Sequence, residues 1–295
     1  MVDWKASLLR LEGAYSPNTM RGYRSDFTAF ETWCNANGRS SLPAAPETVA
    51  AFIDANATLV KPSTLRRRLC SIHKLHRLLS LRCPLDNEEV NLAMRRARRK
   101  QPSRPSQAYG LTAVLRDKMI AVCTDDLTGL RDALTISMGF DMLGRRAEIV
   151  ALSVEDLTLG PNQRYTALVR RAKNDPEGAG RLCKLSEPTS RLIDRWLLET
   201  GITRGALLRP VFCSITVSRH LTPFTVSRVI KKLASRVDEL RDNIATISGH
   251  SLRVGAAQQL ILNGYGILPI MRAGGWRSMN TVARYIEHVD IDVWN

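Results

Sequence analysis

Ser248-Gly249-His250-Ser251-Leu252-Arg253-Val254-Gly255-Ala256-Ala257, with Ala273-Gly274-Gly275-Trp276 and Tyr285 behind it, is the most informative part of this 295-residue chain. It sets a His three positions before an Arg, a Trp after two glycines, and a Tyr nine residues after the Trp. Taken singly, each has an ordinary explanation. A Tyr between Val282 and Val289 on a helical pattern is usually core, as is a lone Trp, and a lone His is more often structural. The order in which they occur, and what precedes them, changes the reading.

Upstream, Leu143-Gly144-Arg145-Arg146-Ala147-Glu148-Ile149 supplies an R-x-x-E. The segments RYTALVRR (164–171) and RLCKL (181–185) read as two short strands around the turn-rich NDPEGAG, which predicts a β-hairpin. Two choices arise inside these motifs. Spacing to Glu148 selects Arg145 over Arg146, leaving Arg146 to support its neighbour or contact the partner. Lys173, at the end of the first strand, competes with Lys184 on the second. The strand end favours Lys173, because a hairpin turn can reach a groove.

Charge narrows the partner. The formal net charge is +15 and the isoelectric point is about 10.1, which points to a polyanion. Residues 61–104 hold thirteen Lys/Arg against three Asp/Glu, so this one segment carries ten of the fifteen net charges. No apolar run approaches the ~20 residues of a membrane span, and the N-terminus lacks the apolar core of a signal peptide. DNA or RNA is therefore expected in preference to a membrane surface. The six cysteines show no C-x-x-C pair and no His at zinc spacing, so reduced thiols in a cytoplasmic protein are expected, without a metal.

The organisation reads as mainly α. Ser16-Pro17, Ala45-Pro46 and Lys61-Pro62 mark helix starts. After them, Met20, Tyr23, Phe27, Phe30 and Cys34, and later Leu65, Leu69, Ile72 and His76, form apolar faces. Residues 1–104 are expected as a helical DNA-binding domain, with Arg66, Arg67 and Lys74 facing phosphates. The Pro-containing stretch 101–107 reads as a linker. Residues 105–295 are expected as a larger catalytic domain, mostly helical, with the small β-hairpin. Its helices are placed at 111–122, 128–142, 147–152, 190–198 and 225–237. The last has an apolar stripe (Val226, Val229, Ile230, Leu233, Val237) opposite Arg228, Lys231, Lys232 and Arg236.

Breaking a phosphodiester without a metal requires a nucleophile, guanidiniums on the non-bridging oxygens, and an acid for the leaving alkoxide. A Tyr nucleophile conserves the bond energy in a phosphotyrosine, so rejoining needs no nucleotide cofactor. R-x-x-E, a hairpin Lys, H-x-x-R, GGW and a Tyr, in that order, resemble the tyrosine recombinase/integrase family, closest in pattern to its phage recombinases. The resemblance is loose over the whole chain and specific over residues 130–290. It implies that Arg145 and Arg253 clamp the scissile phosphate and that Lys173 protonates the 5′ oxygen. His250 would be acid/base near the phenol, Trp276 would donate its indole N–H, and Tyr285 would bond the 3′ phosphate, with Glu148 orienting its neighbours.

The resemblance further implies an N-terminal core-binding domain and a major-groove helix carrying Arg228 and Lys232 for base edges. The two domains would form a clamp hinged at residues 102–105. A homotetramer would act on two inverted-repeat sites and exchange strands through a Holliday junction. Ten residues follow Tyr285, which implies a shortened anchor at Val293 and Trp294 or protomer contacts built differently. A type IB topoisomerase-like enzyme and a DNA-binding regulator with a silent site are the alternatives.

Overall fold

Proline and small capping residues start the helices of the N-terminal part where the sequence places them. The computed structural model of the chain describes residues 3–101, 106–170, 180–287 and 289. Lys173, the Pro102 and Pro105 linker positions, and Val293 and Trp294 lie outside the described residues. The chain divides into two compact units, Met1–Pro105 and Ser106–Asn295.

The first unit contains α1 (Trp4–Leu9), α2 (Pro17–Ala36), α3 (Pro46–Asn56), α4 (Pro62–Leu78) and α5 (Glu88–Lys100). At the start of α2, Ser16 Oγ accepts from the Thr19 N–H at 3.2 Å, while Pro17 supplies a helical φ with no N–H to waste. α3 and α4 also begin on proline. The apolar faces converge on an aromatic core in which the rings of Trp4 and Phe27 lie 4.9 Å apart and those of Phe30 and Phe52 5.1 Å. Leu65, Leu69, Ile72 and His76 all point into it. His76 is satisfied there, accepting from the Ala44 N–H at 3.0 Å and holding the Ile72 carbonyl at 2.8 Å.

The second unit is built around two buried helices. It contains α6 (Ala113–Ala121), α7 (Leu127–Asp141), α8 (Arg146–Ala151), β1 (Leu157–Leu159), β2 (Tyr165–Val169), β3 (Arg181–Lys184) and α9 (Glu187–Thr200). β4 (Val211–Phe212), β5 (Ile215–Thr216), α10 (Pro223–Ala234), α11 (Ser251–Leu262), α12 (Ile267–Gly274) and α13 (Met279–Ile286) follow. α7 is buried at every position from Gly129 to Phe140, and α11 from Ser251 to Ala257. Glycine sets their approach: a Cβ on Gly139 would lie 2.8 Å from Leu252 Cδ1. One on Gly255 would lie 1.8 Å from the Leu111 carbonyl oxygen, where the chain crosses α11 and Leu111 N–H reaches the Ser251 carbonyl at 3.0 Å.

The chain is mainly α with small antiparallel sheets. β2 and β3 pair as expected, with Thr166 opposite Lys184 and Val169 opposite Arg181. β1 adds a third strand in the order β1-β2-β3, and β4–β5 forms a separate pair. The helix expected at 225–237 begins at Pro223, capped by the Thr222 hydroxyl, and gives way after Ala234 to a 3-10 turn at Asp238–Asn243. The helix expected at 190–198 is longer in both directions, because Ser186 caps it and Gly201 ends it in the left-handed region.

Candidate active site

The α7–α8 turn, β3, the start of α11 and the α12–α13 corner bring their polar side chains to one place. Arg145 caps α8. Its backbone N–H donates to Glu148 Oε2 at 3.1 Å and its Nη1 to Oε1 at 2.5 Å. The R-x-x-E spacing thus has a direct cause, since the Glu one turn into the helix reaches back to both groups of the same Arg. Glu148 is buried, with 3% of its side chain exposed, while Arg145 retains 19%. Arg146 points elsewhere: its Nη1 donates to Ser227 Oγ of α10 at 2.6 Å, and its chain lies over Gly249, where a Cβ would collide with it.

Arg253 lies under this group with 1% exposure. Its Nη1 donates to the Leu143 carbonyl and its Nη2 to the Gly274 carbonyl, the latter at 2.8 Å. Burial pulls its pKa down to about 10; the charge of Arg145 adds to this, and Glu148 and Tyr285 oppose it. It stays a cation at neutral pH, with three of its five N–H donors uncommitted to those two carbonyls.

The Trp276 ring covers this guanidinium, with Arg253 Cζ 4.0 Å from the ring centroid, a cation–π stack. Tyr285 meets Trp276 edge-on, with centroids 5.7 Å apart and planes at 70°. Both glycines of the GGW motif are needed. A Cβ on Gly274 would fall 2.0 Å from Trp276 Cζ3, and Gly275 ends α12 at φ +65°. Tyr285 is half-buried, and its carbonyl accepts from Gln107 at 3.0 Å and Gln258 at 3.1 Å. His250 is exposed at the first position before α11, one turn ahead of Arg253, and its backbone N–H donates to Ser248 Oγ at 3.2 Å.

Arg181, Gln107 and Gln258 belong to the cluster and are absent from the expected set. Arg181, at the start of β3, donates Nη2 to Glu148 Oε2 at 3.3 Å and Nη1 to the Met142 carbonyl at 2.9 Å and to the Ala273 carbonyl. Its signal was strand alternation, since Arg181 shares a face with Cys183, which is buried. Leu182 and Lys184 take the exposed face, so Lys184 is turned away from the Arg181–Glu148 pair. Gln107 and Gln258 gave no comparable signal.

Outside the cluster, Arg66 and Arg228 are exposed. Arg67 is held by the buried carboxylate of Asp26 at 2.8 Å. Lys74 reaches the Tyr15 hydroxyl at 2.8 Å and stacks on its ring. Lys232 sits 3.3 Å from the buried Asp132, so part of its charge serves the interior. Among the described residues no group of His, Cys, Asp and Glu could hold a metal ion, and no helix is long and apolar enough to cross a membrane.

Comparison with known proteins gives the family. The model of the Phage integrase family matches residues 111–290, which contain every described member of the cluster except Gln107. The chain belongs to the phage integrase family. In this integrase-family chain a second model, the phage integrase N-terminal SAM-like domain, matches residues 5–82. The recombinase cre of Escherichia phage P1 is 26% identical over 303 residues, spanning 96% of this chain and 88% of that protein. An integrase/recombinase xerD homolog of Selenomonas ruminantium is 29% identical over 296 residues, spanning 96% and 85%. In fold, the chain is similar to the Tn1549 transposon integrase solved with transposon right end DNA. That match has a TM-score of 0.67 at 12% identity and covers 98% of this chain and 95% of the other.

Proposed function

We propose that this integrase-family chain is a site-specific recombinase that cuts and rejoins double-stranded DNA through Tyr285. The observation that carries the reading is Trp276, whose ring stacks on the buried Arg253 guanidinium and meets the half-buried Tyr285 ring edge-on, so that one side chain joins the two. The Tyr285 oxygen attacks the phosphorus in line and the 5′ oxygen leaves, giving a 3′-phosphotyrosyl bond. Attack by a 5′ hydroxyl from the partner strand reverses the step without a nucleotide cofactor.

Arg145 and Arg253 bind the non-bridging oxygens, where charge grows in the transition state. Glu148 orients Arg145. Trp276 packs Arg253 and donates its indole N–H to the phosphate. His250, at the exposed start of α11, exchanges a proton with the phenol, and Lys173 protonates the leaving oxygen. The orientation of Lys184 on β3 supports the choice of Lys173 over it. No metal enters the chemistry.

The first unit is the core-binding domain, with Arg66, Arg67 and Lys74 on phosphates. α10 is the reading helix, with Arg228 as its main base contact and Lys232 divided between DNA and Asp132. Arg146 links that helix to the active-site end of α11. A homotetramer assembles on two inverted-repeat sites and passes through a Holliday junction, inside the cell where its DNA lies. The test is a plasmid carrying two copies of a site recovered by binding selection. Deletion from direct repeats and inversion from inverted ones are expected, and topoisomer ladders without either product would replace recombination by relaxation.

A further inference from the structure

Two arginines bridge the same pair of peptide segments. Arg253 donates to the carbonyls of Leu143 and Gly274, and Arg181 to those of Met142 and Ala273, the residues immediately before them. One segment leads into Arg145, and the other into Trp276. Arg181 also donates to Glu148, which holds Arg145.

We propose that Arg181 is a positioning residue for the cleavage reaction, a second guanidinium staple that fixes Arg145 and Trp276 around the phosphate and spares Arg253 from doing so alone. This rests on the recombinase reading above. Arg181 is 12% exposed, and its Nη groups are directed to internal acceptors, so its effect runs through its neighbours. A planar guanidinium can meet three acceptors from one place, whereas an ammonium offers a point charge on a flexible stem. Lys at 181 would keep the charge beside Glu148 and lose the bridge between Met142 and Ala273.

The full chain is mixed with a nicked duplex bearing a site recovered by its own binding selection, and covalent protein–DNA adduct is timed at saturating protein. Two probes are used, one with an ordinary scissile phosphate and one with a neutral methylphosphonate there. Arg181→Met is expected to slow adduct formation roughly 10- to 100-fold on the phosphate, as misplacing a transition-state donor does, with DNA affinity within about twofold. On the methylphosphonate, which has no anionic oxygens to clamp, its deficit is expected to shrink to within about threefold.

A general loss of folded protein would lower both rates equally, so equal deficits on the two probes overturn the proposal, as does an unchanged rate on the phosphate. Arg181→Lys is read the same way if Arg181→Met does not fold. It should show a smaller but still probe-dependent deficit, and an equal one overturns the proposal. Absence of adduct with the unsubstituted chain would instead remove the recombinase reading itself.

Discussion

Replacing Glu148 by Ala tests how the arginine cluster is held together. The carboxylate accepts from Arg145 Nη1 at 2.5 Å, from the Arg145 N–H at 3.1 Å and from Arg181 Nη2 at 3.3 Å. Glu148→Ala leaves Arg145 and Arg181, 19% and 12% exposed, beside Arg253 without a counter-charge. Truncating one partner of a buried ion pair costs about 3–5 kcal/mol. Both arginines keep some solvent and Arg181 keeps its two carbonyls, so about 3 kcal/mol is expected. Amide exchange of α7 in increasing urea reports the second unit within the full chain. Glu148→Gln keeps acceptor oxygen but no charge, and should lose about 1–2 kcal/mol. Sulfate should restore Glu148→Ala by about 1 kcal/mol more than the parent, because the uncovered guanidiniums bind the anion. A loss below 1 kcal/mol, or no preference for sulfate over chloride at matched ionic strength, would refute the electrostatic account.

Gly274→Ala should displace the Trp276 ring, since the added Cβ falls 2.0–2.5 Å from three of its atoms. Overpacking of this kind costs about 1–3 kcal/mol, and adduct formation should slow by at least about tenfold; an unchanged rate would separate Trp276 from the chemistry. Burial lowers the His76 pKa from 6.5, with His73 adding to the shift against the Ile72 hydrogen bond. A depressed folded pKa gives stability that is full above about pH 6.5 and lost as pH falls through the folded value. Thermal melting of the first unit should drop between pH 7 and pH 5, less so in His76→Gln, and equal slopes would contradict this. Arg67→Ala should flatten the dependence of log K on log salt by about one unit if Arg67 meets a phosphate. An unchanged slope would remove that contact.

Much of the site could be read early because its residues are concentrated. His250 and Arg253 flank the start of one helix, and Trp276 and Tyr285 bracket the α12–α13 corner, so a short block fixes their relation. Arg145 could be chosen over Arg146 because a helix N-terminus gives a residue three positions on a route back to the cap. Arg181 was missed because a charged residue opening a strand resembles the turn before it. Only its register with Cys183 marks it as inward-facing. β1, β4 and β5 are three residues or fewer, too short for alternation to register. Lys232 looked free for DNA because its carboxylate partner, Asp132, lies a hundred positions away.

The most direct test of the central claim is to trap the covalent intermediate. The full chain is incubated with a nicked duplex carrying its selected site, denatured in SDS, and digested for mass mapping of the DNA-linked peptide. The account predicts one adduct, attached at Tyr285 to a 3′ phosphate, and its loss in Tyr285→Phe with DNA binding retained. An adduct that persists in Tyr285→Phe, or that maps to another residue, would contradict it.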